Sequence, residues 1–382
     1  MILEPTRAAA LARLDAFSPR MGRRYAAERN HDHGSAGAWP ANVSMLSPYL
    51  RHRLIDEQEV LARALDKHGP DAAEKFVSEV LWRGYFRGWL EQRPAVWDRY
   101  LAERDAALAA VEANGGLARD YRAAIEGRTG IDCFDAWADE LTAHNWLHNH
   151  ARMWFASIWI FTLRLPWVLG ADFFLRHLLD GDAASNTLSW RWVAGLHTRG
   201  KAYAARADNI ARYTGGRFNP KGLVEEVEPL TEDEEAPLIR FTPPPRPEPA
   251  GEWSLLLHEG DLAIGHSLAT PPSAIVALVP REERVAPAVA AFRRGAVEDA
   301  ATRAGASYGC PVHRVEDAAT LGDIRAGRLV AAYVPLGNAP ALPQVDTFVR
   351  DYDAAVWPLA TAGFFKVKAG APAKSRALGL PL

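Results

Sequence analysis

Residues 221–250 separate two parts of the chain that have different patterns. This segment begins acidic, with EEVEPLTEDEEAP, and ends rich in proline, with TPPPRPEP. Proline removes a backbone donor and disrupts helix interiors and central strands. We therefore predict an extended, semi-rigid linker here. A chain of 382 residues is long enough to form a domain on each side of it.

The two sides of the linker predict different folds. Residues 1–220 have apolar side chains mostly at helical spacing, which predicts an all-helical domain. From Trp253 onward, the apolar runs WSLLLHE, AIVALV and LVAAYVPLG alternate with a helical pattern from Pro287 to Ala304. This alternation predicts a small parallel α/β domain over residues 251–382.

Composition excludes several classes of protein. Cys133 and Cys310 are the two cysteines, too few for a disulfide framework, an iron-sulfur cluster or a cysteine-ligated zinc site, and we expect no metal. The most apolar run, Met153–Leu169, contains Arg164 and Pro166, which argues against a membrane span. We see no secretory leader and expect a cytoplasmic protein.

The charge distribution allows one local nucleic-acid surface. A formal net charge of −3 argues against nonspecific coating of nucleic acid. One segment is nevertheless basic, and a solvated helix face would have the same pattern. Around the single acid Asp208 it contains Arg191, Arg199, Lys201, Arg206, Arg212 and Arg217.

The segment LDGDAASNTLSWRW, from Leu179 to Trp192, combines functional residue types at helical spacing. Asp180 and Asp182 are good N-cap residues, so a helix is predicted to begin here. Asp182, Asn186 and Trp190 stand at i, i+4 and i+8 and would share one face. An ordinary capped helix with a core tryptophan has the same pattern, so the segment alone does not decide its function.

A second segment, SEVLWRGYFRGWL, places a carboxylate, an indole and a guanidinium on one helix face. Glu79, Trp82, Arg83 and Phe86 stand at i, i+3, i+4 and i+7. Core packing alone would not select a glutamate at such a position.

Two further segments carry polar groups in apolar surroundings. In NWLHNHARMW, Asn149, Arg152 and Met153 share a helix face, where an amide and a guanidinium need partners if they are buried. In NVSMLSPYL, Ser44 and Ser47 flank a predicted helix start, where hydroxyls and free N–H groups can hold a phosphate. By itself this phosphate signal is weak.

Together these segments resemble the FAD-binding domain of the photolyase and cryptochrome family, over roughly residues 20–220. NVSMLSPYL is similar to TSxLSPYL, SEVLWRGYF to ELxWREFY, TGIDCFDAW to TGxPxVDAxM, NWLHNHARM to GWMHNRxRM, and LDGDAASNTLSWRW to LxDGDxAxNNGGWQW. The resemblance implies FAD as cofactor, in an all-helical domain that is followed here by a small Rossmann-like α/β domain.

By position, the resemblance assigns the cofactor contacts. Asn186 matches the residue that faces flavin N5, where an amide can either donate or accept a hydrogen bond. The full implied set for FAD is Tyr25, Val43, Ser44, Met45, Leu46, Ser47, Phe86, Asn149, Arg152, Asp180, Asp182 and Asn186.

The resemblance also assigns DNA contacts and an electron relay. Glu79 would bond a base edge of the lesion and Trp82 would stack on it, which is worth about 1–3 kcal/mol per base. Other implied lesion contacts are Arg83, His150 and Met153. Trp190 matches the flavin-proximal relay tryptophan and Trp167 the second member, while the third stays open between Tyr121, Trp97 and Trp154.

Several positions depart from the family pattern. Met45 stands where many members have arginine, Gly84 replaces the acid of WREFY, and His150 replaces the arginine after HN. In LDGDAASNTLSWRW, TLS at 187–189 replaces NGG.

The order of the domains also differs from that of ordinary members, which begin with the α/β domain. LLLHEGDLAI at 255–264 and ATAGFFKVK at 360–368 resemble parts of that domain. We interpret this as a circular permutation, in which exposed termini make rearrangement tolerable. An antenna chromophore stays unknown, since neither G-x-G-x-x-G nor a P-loop is present.

Three functions are compatible with this resemblance. The first is a blue-light DNA photolyase acting on pyrimidine dimers in damaged DNA. Asn149 and Met153 favour the cyclobutane type, although His148 and His150 leave the (6-4) type open. The second is a cryptochrome-like photoreceptor without repair activity, and the third a light-independent flavoprotein. We expect a monomer in each case.

Overall fold

The structure is a computed structural model, and it forms two compact units built from separated stretches of sequence. The first unit contains Ala27–Val43 and Arg93–Pro237, and the second contains Leu3–Ala26, Ser44–Gln92 and Leu238–Leu382. Parts of the predicted helical domain therefore occur in both units, and the boundaries at 220 and 250 stay a prediction. The residues described are 3–34, 40–249, 251–265, 268–281, 284–323, 327–338, 342 and 345–380.

Helices account for most of the described structure, as the sequence predicts. The α-helices are α1 (Arg7–Phe17), α2 (Arg23–Glu28), α3 (Ser47–Arg51), α4 (Glu57–Glu91), α5 (Pro94–Ala113), α6 (Gly115–Ile125), α7 (Asp132–His144), α8 (Asn149–Ser157), α9 (Trp167–His177), α10 (Ala183–Ala194), α11 (Ala207–Tyr213), α12 (Pro287–Tyr308), α13 (Asp351–Val356) and α14 (Phe364–Ala377). Within the residues described, no helix has the length and apolarity needed to cross a membrane.

The first unit is helical and has an aromatic core. Trp137, Trp154 and Trp159 are fully buried there. Helix α10 begins at its predicted cap, since the Asp182 carboxylate accepts the backbone N–H of Ser185 at 2.9 Å. It ends at Gly195, whose φ of 84° suits a glycine C-cap.

The described residues of the linker form neither helix nor strand, yet its first part packs within the first unit. Leu230 donates its backbone N–H to the Ala194 carbonyl at 2.9 Å, and Glu232 accepts from buried Arg191 at 2.8 Å. Leu230 and Glu232 are thus held by specific contacts at the end of α10, which composition alone did not reveal.

The second unit contains a five-stranded parallel sheet in the order β3-β2-β1-β4-β5. Central β1 is buried along its whole length, which explains its uninterrupted apolar sequence. These strands and α12 confirm the predicted parallel α/β pattern. The strands are β1 (Trp253–Leu257), β2 (Ala274–Leu278), β3 (Val312–Val315), β4 (Arg328–Ala332) and β5 (Asp346–Phe348).

Helix α4 of the same unit has a defined start and an internal break. A capping box between Asp56 and Glu59 satisfies its first backbone donors. Gly69 has a φ of 71° and precedes Pro70, so the regular helix is interrupted there. The part after the break carries the segment with Glu79 and Trp82.

A buried ion network in the second unit is centred on Arg53. Its guanidinium bonds to Glu57 at 3.2 Å, Asp261 at 2.9 Å and Asp353 at 2.6 Å, and all four side chains are at most 4% exposed. Arg350 adds a bidentate bond to Asp261 at 2.6 and 2.7 Å. Because buried charges need partners, this network fixes the turn before α4 relative to β1 and α13.

Candidate functional site

Both compact units contain predicted site residues, and we describe the two sets separately. The first unit contains Val43, Asn149, His150, Arg152, Met153, Trp167, Asp180, Asp182, Asn186 and Trp190. The second contains Tyr25, Ser44, Met45, Leu46, Ser47, Glu79, Trp82, Arg83 and Phe86.

In the first unit, α10 presents the polar residues of the Leu179–Trp192 segment from a buried helix. Asp182 and Asn186 are 1% and 8% exposed. The Asn186 amide donates from Nδ2 to the Ala171 carbonyl at 2.9 Å, which fixes the plane of the amide. The predicted i, i+4, i+8 face of Asp182, Asn186 and Trp190 is thus present on one helix.

Arg152 and Asp180 form a charge pair beside this helix. The Arg152 Nη2 donates to the Asp180 carboxylate at 3.1 Å, and its Nε donates to the Leu147 carbonyl at 2.8 Å. The two side chains are 21% and 7% exposed, so solvent screens the pair only partly. Two of the residues predicted around the isoalloxazine ring therefore contact each other directly.

Asn145 is a residue that sequence reasoning missed at this place. It ends α7 with a φ of 54°, and its carbonyl accepts the backbone N–H of Leu179 at 2.9 Å. Its buried Nδ2 has no hydrogen-bond partner among the described residues, and neither has Nε1 of Trp190. The sequence signal that could have found it is an asparagine at the end of a helix, because asparagine tolerates the left-handed backbone that often ends helices.

These unsatisfied donors fit the implied cofactor. A buried donor without a partner costs about 1–3 kcal/mol. The isoalloxazine ring has carbonyl and nitrogen acceptors that could receive hydrogen bonds from such donors. The Arg152–Asp180 pair offers both donors and acceptors to the polar edge of that ring. The residues present are therefore compatible with bound FAD.

His148 and His150 are held as neutral rings at the start of α8. His148 donates from Nε2 to the Arg29 carbonyl at 3.1 Å and accepts from the His150 backbone at Nδ1. His150 bonds through Nδ1 to the Asn30 carbonyl at 3.0 Å and stacks on Trp154 at 4.1 Å. Burial lowers the pKa of His148 to about 4 and also lowers the pKa of His150.

Two aromatic arrays lie near Trp190 in the first unit. In one array, Trp159 lies 6.2 Å from Trp190 and 6.0 Å from Tyr121, measured between ring centroids. The other array leads from Trp167 at the start of α9 to Tyr100 at 5.7 Å, and from there to Trp97 at 5.1 Å. Trp97 is partly exposed, whereas Tyr121 is buried.

Helix α9 connects the second array to Trp190 through a glycine. A Cβ on Gly170 would come within 2.3 Å of the Trp190 ring, so the indole lies directly on the α9 backbone one turn after Trp167. The ring of Trp154 instead lies 5.4 Å from that of Trp137 and 4.1 Å from that of His150. Of the three candidates for the third relay position, Trp97 is the one in the array with Trp167.

In the second unit, the loop before α3 carries the predicted phosphate contacts. Met45 has a φ of 56°, and the Ser44 hydroxyl accepts the Leu46 backbone N–H at 3.4 Å. Arg13 of α1 donates from Nε to the Ser44 carbonyl at 2.7 Å, and Arg83 donates to the Ser47 carbonyl at 3.3 Å. Because α3 has only five residues, these two guanidiniums and the loop amides are more relevant to phosphate binding than its dipole.

Trp82, the predicted stacking platform, is stacked on a side chain of this protein. The ring of Phe364, from α14, lies parallel to it at 3.8 Å with an interplanar angle of 7°. Lys368 of α14 also forms an ion pair with Glu74 of α4. Sequence reasoning missed the stacking of Phe364 on Trp82 because Phe364 is remote in the chain.

Two other predicted cofactor contacts of this unit also pack on aromatic rings. Phe86 lies 5.2 Å from Trp82, and Tyr25 lies at the same distance from Phe76, measured between ring centroids.

The departure at Gly84 has a packing reason. A Cβ at Gly84 would lie 3.0 Å from Cγ1 of Val356 and 3.2 Å from the Tyr352 hydroxyl, both on α13. The glutamate found in the family pattern would therefore need the Val356 and Tyr352 side chains to shift by a few tenths of an ångström. The close approach of α13 explains the glycine.

Internal carboxylates neutralise part of the basic segment. Arg191 bonds to Glu232, Arg206 to Asp208, and Arg217 to buried Asp32. These three arginines contribute less to a DNA-binding surface than the sequence suggested.

Comparisons with known proteins agree with the resemblance. Residues 76–226 match the family model described as the FAD binding domain of DNA photolyase. The deoxyribodipyrimidine photo-lyase of Thermus thermophilus is 36% identical over 219 residues, which cover 57% of this chain and 49% of that relative. The enzyme of the same name from Streptomyces griseus is 34% identical over 181 residues, covering 44% and 38%.

Among solved structures, a bacterial class III photolyase from Agrobacterium tumefaciens aligns with a TM-score of 0.45 and 25% identity, covering 55% of this chain and 43% of that one. This chain spans half or less of the length of the two relatives named above. The predicted resemblance to a photolyase FAD-binding domain is confirmed for residues 76–226, and it supports FAD as the cofactor.

Proposed function

We propose that this chain is a blue-light-dependent FAD flavoprotein that repairs pyrimidine dimers in damaged DNA, as a DNA photolyase does. The observation that carries the proposal is α10, where Asp182, Asn186 and Trp190 lie on one buried helix beside the Arg152–Asp180 pair. Bound FAD, once reduced and excited by light, would supply the electron that splits the dimer. The remaining roles belong to the side chains of this protein.

Four polar residues of the first unit would hold and orient the flavin ring. Arg152 and Asp180 would bind its polar edge, and Asn186 would face N5 with its amide plane fixed by Ala171. We add Asn145 to this set. Its Nδ2 has no hydrogen-bond partner among the described residues, and its backbone carbonyl accepts the N–H of Leu179, the residue before Asp180. In the second unit, the loop Ser44–Ser47 would bind the FAD diphosphate.

We propose that the relay runs through Trp190 and Trp167 and ends at Trp97, with Tyr100 as a bridging ring. Contacts of 5.7 and 5.1 Å link Trp167, Tyr100 and Trp97. The Tyr100 hydroxyl has no hydrogen-bond partner among the described residues, and burial raises its pKa. Because no described residue is hydrogen-bonded to this hydroxyl to accept its proton, we assign Tyr100 a bridging role and assign the surface end to Trp97.

Trp97→Phe is expected to slow photoreduction of the flavin at least about tenfold, while Tyr121→Phe leaves the rate nearly unchanged. Phenylalanine keeps the packing but is much harder to oxidise than an indole. Flavin absorbance under steady blue light, with an external reductant, measures both rates. A slow Tyr121→Phe variant beside a normal Trp97→Phe variant would assign the relay to the Trp159 array instead.

Glu79 and Trp82 would recognise the lesion, and we favour the cyclobutane dimer over the (6-4) photoproduct. His148 and His150 bond to backbone carbonyls and have lowered pKa values, which makes them poor proton donors at neutral pH. Simple cyclobutane splitting needs electron return and no such donor. Arg83, Met153 and His150 remain proposed neighbours of the lesion.

The decisive assay is blue-light repair of an oligonucleotide that contains one thymine dimer. We expect the parent chain to restore the thymines and Glu79→Gln to lose about tenfold or more of that rate, because a neutral amide oxygen forms a weaker hydrogen bond to a base edge than a charged carboxylate does. Flavin content must be equal in both proteins. Complete absence of repair by a flavin-loaded parent would refute the repair function.

A cryptochrome-like photoreceptor is the alternative, and the stacking of Phe364 on Trp82 favours it. In that case the flavin and relay would remain while the lesion site stays covered. A flavin-loaded parent that undergoes photoreduction but repairs no dimer would have this function.

We also propose a domain arrangement. Residues 1–220 would form the FAD-binding domain, 221–250 the linker, and 251–382 a Rossmann-like domain moved to the C-terminus by circular permutation. The strand order supports the Rossmann-like assignment because 3-2-1-4-5 is part of the doubly wound order. We expect a cytoplasmic monomer.

A further inference from the structure

Arg13 is a cation at the predicted phosphate loop that the family resemblance does not assign. It lies on α1, and its Nε donates to the Ser44 carbonyl at 2.7 Å within the second unit. This bond points the guanidinium at the backbone of the loop in which Met45 replaces the arginine of many family members.

No carboxylate among the described residues balances the charge of Arg13. Within the described residues, Arg13 forms no ion pair, whereas Arg7 of the same helix pairs with Glu59, and Asp15 pairs with Arg63. Burial lowers the pKa of Arg13, the direction expected for a guanidinium that is partly desolvated without a carboxylate. Half-burying such a charge is unfavourable, so an anion at this place would relieve that cost.

We propose that Arg13 binds the diphosphate of FAD and supplies the cation that residue 45 lacks. This inference rests on the proposed function, because it assumes that Ser44–Ser47 contacts the cofactor. With Nε held by the Ser44 carbonyl, the terminal nitrogens remain for phosphate oxygens, a geometry in which arginine binds well. Arg83 at the Ser47 carbonyl would complete a pair of guanidiniums flanking the loop.

The test compares FAD with riboflavin, which has the same ring and no phosphate. Each is titrated into flavin-free protein and followed by quenching of flavin fluorescence. We expect Arg13→Gln to weaken FAD binding about 10- to 100-fold, as for loss of a charged hydrogen bond, and to leave riboflavin binding unchanged. Arg13→Lys should recover part of the loss.

Arg63→Gln is the matched control, since it removes the same charge from an exposed pair on the same unit and should change neither affinity. Equal weakening of FAD and riboflavin by Arg13→Gln would make Arg13 a structural residue and overturn the inference, as would no change in either. A parent chain that binds neither flavin would overturn the proposed function as well. Thermal unfolding of Arg13→Gln checks that the fold is retained.

Discussion

Arg53→Met is expected to lower the free energy of unfolding by about 3–5 kcal/mol, the usual cost of breaking a buried ion pair from one side. The substitution keeps most of the apolar volume of the side chain. It leaves the carboxylates of Glu57, Asp261 and Asp353 buried, and among the described residues Asp261 alone retains a directly bonded arginine, Arg350. Urea unfolding of both proteins, followed by tryptophan fluorescence, measures the difference.

The deficit of Arg53→Met should shrink as the pH falls from about 7 to about 5. Burial raises the pKa of Glu57, but Arg53 and Arg87 outweigh this and hold it below its ordinary value. Burial also raises the pKa of Asp353, and Arg53 opposes that rise. Without Arg53, these folded-state pKa values rise above the unfolded ones. The variant is therefore destabilised at high pH, and it recovers stability when Glu57 and Asp353 are protonated.

In the parent, Glu57 and Asp261 have depressed pKa values, so the stability they contribute is lost only when the pH falls below their ordinary pKa values, whereas the raised pKa of Asp353 acts in the opposite direction. The stability of the parent should therefore change little between pH 7 and 5. Arg63→Met, which breaks an exposed ion pair, is the control and should cost less than about 1 kcal/mol at either pH. A deficit in Arg53→Met that is constant with pH would mean that packing, not charge, explains the loss.

Phe364→Ala is expected to strengthen binding of a dimer-containing duplex by about 5- to 150-fold. A base that stacks on Trp82 must first displace the Phe364 ring, and one stacking contact is worth about 1–3 kcal/mol. Fluorescence anisotropy with a labelled duplex containing one thymine dimer measures the effect. An undamaged duplex should show no such gain.

Phe365→Ala provides the matched control, since that neighbouring ring is 79% exposed and should be nearly neutral. In the double variant Trp82→Ala with Phe364→Ala the gain should disappear. Weaker lesion binding by Phe364→Ala, with thermal stability intact, would mean that α14 supports the DNA site instead of covering it.

Local features could be predicted from the sequence because their causes lie within a few residues. Asp182 caps α10, and its spacing to Asn186 and Trp190 fixes their common face. The parallel sheet was predictable from short apolar runs, since a strand buried on both faces, such as β1, needs no polar alternation.

Contacts between distant segments could not be predicted in the same way. Phe364 over Trp82, Arg53 with Asp353 and Arg13 at Ser44 each depend on tertiary packing that no local spacing encodes. The family pattern could not predict the glycine at position 84, because the reason for it is the close approach of α13. The linker was predicted from proline and acid content, yet its contact through Glu232 depends on where Arg191 lies.

The bond between Arg53 and Asp353 spans 300 positions in the chain and has a consequence for synthesis on the ribosome. Residues 44–92 belong to the unit that also contains 238–382, so this unit cannot form its native ion network until Asp353 has emerged. The first unit is complete once residue 237 has emerged, and we expect it to fold earlier. Until Asp353 has emerged, Arg53 would lack that ion partner. The segment that contains Arg53 would stay incompletely folded, a state in which nascent chains bind chaperones or aggregate.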